Sequence, residues 1–123
     1  MTENFSRERR IVKTDDFSSV FRLRPTYRTS HFVLYARPSQ LLQARLGIVV
    51  AKRLAPRAVT RNTIKRITRE IFRRADMRRC DYIVRLSAPV NAKSQPATGV
   101  LLKAELKQEL LTLLSSQTLG RAD

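Results

Sequence analysis

Arg61, Lys65, Arg69 and Arg73 recur at every fourth position of this chain, interleaved with Asn62 and Arg66. Such side chains carry fixed positive charge or several hydrogen-bond donors. Their chemistry is the binding of phosphate rather than the making and breaking of bonds. At about 3.6 residues per turn all of them fall on one side of a helix, and Ile64, Ile67, Ile71 and Ala75 fall on the other. The apolar stripe needs a core, whereas the basic face needs a polyanion or water. Solvated helix faces normally mix signs, because like charges four residues apart cost about 0.2–0.5 kcal/mol each. This ladder keeps one sign, with Glu70 placed to relieve only Arg66 and Arg74. The pattern therefore points to nucleic acid rather than to a plain solvated face. A basic amphipathic helix also suits a membrane surface. Here, however, the apolar side is built on Ile without Trp, and nearby strands need covering, which assigns it to a core. Asn62, close to the helix start, reads equally as a local backbone cap or as an RNA contact.

No catalytic set accompanies this face. Asp15 and Asp16 follow Thr14 at a helix start, where a hydroxyl cap and early acids are expected. His31 has no acid or nucleophile beside it in sequence and reads as a surface strand residue. Cys80, beside Asp81, reads as a small apolar filler. It is the only cysteine, so no intrachain disulfide exists, and one thiol with one histidine makes no ordinary zinc site. The chemistry of any catalysis is expected to lie in a partner.

The balance of the whole chain agrees. In 123 residues there are 25 Lys and Arg against 10 acids, a net charge of +15. Such an excess is tolerated mainly where counter-charge is supplied. Its concentration is local: residues 52–79 hold 11 Lys and Arg against Glu70 and Asp76. The bias to Arg over Lys favours RNA or DNA over lipid. A hydrophobic fraction of 42% is enough for a core, which excludes a disordered basic tail. No run approaches about 18 apolar residues, so no transmembrane span is expected, and Met1-Thr2-Glu3-Asn4-Phe5 lacks the apolar core of a signal peptide. These features predict a cytoplasmic protein.

The positioning elements follow from local patterns. After the cap at Thr14, Phe17, Val20 and Phe21 lie at helical spacing, ending near Arg24-Pro25. Residues 31–36 read as a strand, with Phe32 and Leu34 on one face and Val33 and Tyr35 on the other. A loop at 38–43 leads to a second strand at 45–51, in which Gly47 marks a bulge or a close approach. The basic helix spans about 56 to 75. A third strand covers 82–86, a loop rich in Pro, Ala and Asn covers 87–96, and Thr98 caps a last helix with Leu102, Leu106, Leu110, Leu113 and Leu114 on one stripe. The order α-β-β-α-β-α predicts a single-domain α+β sandwich over residues 1–123, with about 1–12 and 116–123 flexible. Phe17, Phe21, Phe32, Tyr35 and Tyr82 are core candidates first. If the first helix covers the sheet incompletely, its aromatics and the Val33–Tyr35 face leave a groove able to stack unpaired bases.

In these residues the chain resembles the protein subunit of bacterial ribonuclease P. The run Ala58-Val59-Thr60-Arg61-Asn62-Thr63-Ile64-Lys65-Arg66-Ile67-Thr68-Arg69-Glu70 is similar to that family's arginine-asparagine-arginine motif. Val50-Ala51-Lys52-Arg53 precedes it at the expected distance, and Phe32-Val33-Leu34-Tyr35 and Asp16-Phe17-Ser18-Ser19-Val20-Phe21 match in order and spacing. The resemblance covers about residues 5 to 115. It implies an α+β fold like domain 2 of ribosomal protein S5, with a left-handed β-α-β crossover. It also implies a catalytic RNA subunit as partner, precursor tRNA as substrate, removal of the 5′ leader, and Mg²⁺ used by the RNA. No DNA or membrane partner is expected. By position, Lys52, Arg53, Arg61, Asn62, Arg66 and Arg73 would face the RNA subunit. Phe17, Phe21, Val33 and Tyr35 would line a cleft for the single-stranded leader, with Lys65 and Arg69 at its edge. The family usually has a basic residue where this chain has Thr63; by the helical wheel Thr63 lies off the centre of the basic arc, so at most one phosphate contact is lost. No acidic cluster places a metal in this chain.

Two other classes use the same basic face: a ribosomal or general RNA chaperone, and a DNA-binding regulator with the helix in a major groove. The second is usually built with another helix and a tight turn before the reading helix, and here a strand precedes it. A nuclease acting alone lacks a catalytic set.

Overall fold

A computed structural model of the chain describes residues 24–38, 44–90 and 99–118. The expected first helix, with Asp15, Asp16, Phe17 and Phe21, lies outside the described residues, as do the expected cap Thr98 and the terminal stretches 1–12 and 119–123.

The described elements are β1 (Tyr27–Arg28), β2 (Phe32–Pro38), β3 (Arg45–Val49), α1 (Ala58–Arg74), β4 (Cys80–Leu86) and α2 (Val100–Ser115). They form an α+β arrangement with one four-stranded sheet in the order β1-β2-β4-β3. β1 was not expected. Two residues are too short for a periodicity to be visible, and β1 is held by its pairing of Tyr27 with Leu34 and Arg28 with Val33. β2 runs antiparallel to β4 and β3 runs parallel to it. A parallel neighbour requires a crossover, and α1 supplies it between β3 and β4. The β3–β4 register steps evenly from Arg45 opposite Asp81 to Val49 opposite Arg85, so Gly47 marks no bulge.

Strand alternation divides the sheet into two faces. Phe32 and Leu34 of β2, Leu46 of β3, and Tyr82, Val84 and Leu86 of β4 turn to the main core. There they meet Ile64 and Phe72 of α1 and Leu106, Leu110, Leu113 and Leu114 of α2, all fully or almost fully buried. The Phe72 and Tyr82 rings meet edge to face, centroids 5.9 Å apart. The Tyr82 hydroxyl donates to the Arg78 carbonyl at 2.8 Å, and burial pushes its pKa up. Val33, Tyr35 and Ile83 make a smaller core on the opposite face, with Val49 packed against them. β4 is thus covered on both sides, which is why Tyr82-Ile83-Val84 reads as an unbroken apolar run.

α1 begins after Arg57, which caps it with backbone alone, and ends where Ala75 turns extended. Arg73 and Arg74 in its last turn suit the negative end of the helix dipole. The apolar stripe is confirmed and widened. Ile64 is fully buried, Ile67, Ile71 and Ala75 pack against the core, and Thr60, Thr63, Thr68 and Phe72 are buried too. Thr68 hides its hydroxyl by donating to the Ile64 carbonyl at 2.7 Å. α2 is capped by Gly99 rather than Thr98, without a side-chain cap. After α2, the Arg78 N–H donates to the Gln117 carbonyl at 3.2 Å, and Met77 and Thr118 form a bridge. No described helix is long and apolar enough to cross a membrane.

Candidate nucleic-acid interface

The basic residues assemble into one arc. Lys52 and Arg53 are exposed in the turn between β3 and α1, a turn closed by Leu54 and Ala55 N–H groups donating to the Ala51 carbonyl at 3.1 and 3.0 Å. Asn62 and Arg66 are exposed along the outer side of α1. Lys65 and Arg69 are half-buried on the flank that leads back to buried Thr68 and Phe72. Asn62 caps nothing, because the N-cap is Arg57. Its local-capping role is therefore excluded.

The ends of the ladder are occupied in ways that the wheel did not show. Arg61 Nη1 donates to the Ala55 and Pro56 carbonyls at 2.9 and 3.1 Å. It ties the preceding turn to the helix. Glu70 pairs with Arg73 at 2.7 Å and Arg74 at 3.0 Å, not with Arg66. The Arg73 hydrogen bond, with the charges of Arg73 and Arg74, holds the Glu70 carboxyl below its ordinary value. The C-terminal end of the ladder is thus partly neutralised, while Lys65 and Arg66 make no ion pair among the described residues. Thr63 is 6% exposed. It belongs to the buried side, so its lack of charge leaves no gap in the solvent-facing arc. The arc offers guanidinium forks and an ammonium at one-turn spacing, a geometry that matches successive phosphates of a polynucleotide.

The second candidate surface is the sheet face opposite α1 and α2. Val33 and Tyr35 lie on it as expected, but both are buried, Val33 at 1% and Tyr35 at 8% exposure. They therefore form a core of their own rather than an open aromatic wall. Sequence reasoning missed the cations that this face collects. Register places Arg28, Val33, Arg85 and Val49 in one row across all four strands, with Arg28 and Arg85 exposed. Another row holds Arg37, Asp81 and Arg45. Asp81 is 2% exposed and accepts from Arg37 Nη2 at 2.9 Å and from Arg45 Nε and Nη2 at 2.9 and 2.8 Å. Burial alone would raise its pKa, but the two guanidiniums outweigh it and hold the carboxyl below its ordinary value. The alternation of strand residues carried a partial signal; the pairing partner did not show in it.

His31 also departs from expectation. Its Nδ1 lies 2.9 Å from Glu109 Oε2 and its backbone N–H donates to Glu109 Oε1, which also accepts from Thr29 Oγ1 at 2.6 Å. Glu109 of α2 thus clamps the β1–β2 turn. Burial pushes the Glu109 pKa up, and the bonds from Thr29 and His31 more than reverse the shift. This is a structural clamp with no nucleophile attached. Cys80 is half-buried, and no group of three or more His, Cys, Asp or Glu gathers among the described residues.

Comparison with known proteins shows what the chain as a whole is similar to. The Ribonuclease P family model matches residues 5–115. The chain is 48% identical over 113 residues to the ribonuclease P protein component of Paraburkholderia xenovorans, covering 89% of this chain and 81% of that one. It is 49% identical to the component of an Azoarcus species, covering 90% and 88%. Among solved structures, the RNase P protein of Staphylococcus aureus superposes with a TM-score of 0.70 at 30% identity, covering 88% of this chain and 94% of that one. The Thermotoga maritima protein gives 0.63 at 27%, covering 87% and 96%.

Proposed function

The chain belongs to the ribonuclease P protein family, whose members assist an RNA in maturing the 5′ end of tRNA, and we propose that its α1 arc is the anchor for that RNA. The single observation that supports this is the run of basic and amide side chains along one side of α1. Lys52, Arg53, Arg61, Asn62, Arg66 and Arg73 extend from the β3–α1 turn to the last turn of α1, with exposed Val59 as the large apolar side chain among them. The role belongs to a partner of high negative charge density, since bidentate Arg–phosphate contacts release counterions and repay the crowding of like charges.

The single-stranded leader of the precursor tRNA runs along the other sheet face. The buried Val33–Tyr35 core underlies its path and Lys65 and Arg69 stand at its edge; Phe17 and Phe21, also expected to contact it, lie outside the described residues. The catalytic RNA performs the hydrolysis, using Mg²⁺ to stabilise charge at the cleaved phosphate; this chain's residues hold the leader and screen RNA–RNA repulsion. In this reading residues 1–123 are one RNA-binding domain in the cytoplasm. The parallel β3–α1–β4 unit is the left-handed crossover of a fold like domain 2 of ribosomal protein S5.

The test is recovery of the partner. The chain purified from its own cells should carry one dominant structured RNA that cleaves precursor tRNA in high Mg²⁺ without protein. A mixture of unrelated RNAs bound equally well at physiological salt would point instead to a general RNA chaperone.

A further inference from the structure

A groove runs along the surface between α1 and α2, away from both surfaces assigned above except at Arg66. Its first recess, of about 280 Å³, is lined by Arg66, Ile67, Glu70, Ile71 and Lys107. It shares Glu70, Ile71 and Lys107 with a second recess of about 500 Å³ that continues to Arg74, Leu111 and Leu114. The floor is aliphatic: Ile67 and Ile71 pack against the main core, and Leu114 is part of it. The rim is cationic. Arg66 and Lys107 are exposed and make no ion pair among the described residues, and the one rim acid, Glu70, is occupied by Arg73 and Arg74.

An apolar floor under such a rim suits a ligand with a flat, poorly hydrated body and a negative edge. A protein helix docked here would bury Arg66 and Lys107 against its own flank and would have to be acidic to be tolerated. A nucleotide meets both demands at once. The base leaves water against Ile67, Ile71 and Leu111, and its phosphates stay at the rim on Arg66 and Lys107. Arg66 is the link, because it belongs both to the groove and to the α1 arc, so a strand held on the arc borders the groove at that residue. We infer that the α1–α2 groove receives an unpaired nucleotide of the RNA that binds the arc, with Lys107 as a phosphate contact on α2. RNA is read chiefly at such unpaired positions, where a base is free to leave the stack. The inference rests on the reading of α1 as an RNA anchor and extends that interface onto a second helix.

The test uses the full chain and the RNA subunit. Lys107→Glu should weaken binding roughly tenfold and make the salt dependence shallower by about one unit of slope, whereas Lys107→Arg should retain both. Chemical probing of the RNA should show a small set of unpaired nucleotides that wild type protects and Lys107→Glu does not, with the rest of the footprint unchanged. Arg53→Ala, remote from the groove, serves as the second arm. If Arg53→Ala weakens binding while Lys107→Glu changes neither affinity nor footprint, the groove inference is overturned and the anchor stands. If neither substitution has an effect, the anchor falls as well. A concentration-dependent doubling of mass that Lys107→Glu abolishes would assign the groove to a second copy of the chain and overturn the inference too.

Discussion

Asp81 and Arg45 face each other across the parallel β4–β3 rung and share two hydrogen bonds, Nε to Oδ1 at 2.9 Å and Nη2 to Oδ2 at 2.8 Å. Arg37 completes the row from the β2 side at 2.9 Å. A single carboxylate thus bridges two guanidiniums that the sheet register places in one row, offsetting one of their two charges. Removing one partner of a well-buried pair costs about 3–5 kcal/mol. The Asp81 side chain is 3% exposed, but Arg37 and Arg45 keep 28% and 17% of theirs and can recover some hydration. Asp81→Asn is therefore expected to destabilise by less, about 1–3 kcal/mol, read as a lower urea midpoint with unchanged slope.

The same carboxylate sets part of the acid response. Asp81 and Glu109 both have folded pKa values below their ordinary ones, Asp81 through Arg45 and Arg37 and Glu109 through Thr29 and His31. A depressed pKa contributes stability that is present above the unfolded value and is lost as pH falls through the folded value. The ordinary values are 3.8 and 4.5, so this share should be complete above about pH 5 and decay below about pH 4. Asp81→Asn and Glu109→Gln should each flatten the acid limb of a stability–pH profile. Glu109→Gln should in addition speed amide exchange in the Thr29–Phe32 turn.

How much of this was legible beforehand differs by the range of the interaction. α1 was readable on both faces because its signal lies within one helix: the Ile spacing marks the core side and the Arg ladder the other. Strand parity correctly separated Phe32 and Leu34 from Val33 and Tyr35. The Arg37–Asp81–Arg45 row was hidden, because it depends on which residues the register brings opposite one another, and periodicity carries no register. His31 and Glu109 are 78 residues apart, so their contact exists only once α2 lies on the sheet. Of the two partners expected for Glu70, Arg74 is found, and Arg73 takes the place of Arg66 for a subtler reason. Arg66 and Arg73 are both within one turn of it, and its carboxylate lies with Arg73 and Arg74, towards the end of the helix where the dipole already favours cations.

Arg61 and Arg66 should separate folding from binding. Arg61 donates to the Ala55 and Pro56 carbonyls, so Arg61→Ala loses local hydrogen bonds worth about 1 kcal/mol of stability along with the RNA contacts proposed for it. Arg66 makes no hydrogen bond within the described residues. Arg66→Ala should leave the melting curve within about 0.5 kcal/mol of wild type, yet weaken binding to the RNA subunit and reduce its salt slope by about 1. Equal binding by wild type and Arg66→Ala across a salt titration would remove Arg66 from the interface.

Tyr35 tests the leader surface, and its burial decides how the test must be built. At 8% exposure it packs with Val33 and Ile83, opposite its cross-strand partner Ile83 on β4. Tyr35→Ala therefore opens a cavity and should destabilise by about 2–4 kcal/mol whatever its role in binding. A loss of affinity is informative only at a temperature where circular dichroism shows the variant folded. Under that condition Tyr35→Ala should weaken binding of leader-bearing precursor more than binding of mature tRNA, if the leader runs along this face as proposed. Tyr35→Phe keeps the ring in place and should retain most of the preference. A variant that binds precursor and mature tRNA with the same proportional loss would make Tyr35 a core residue alone and move the leader to the exposed cations of that face, Arg28 and Arg85.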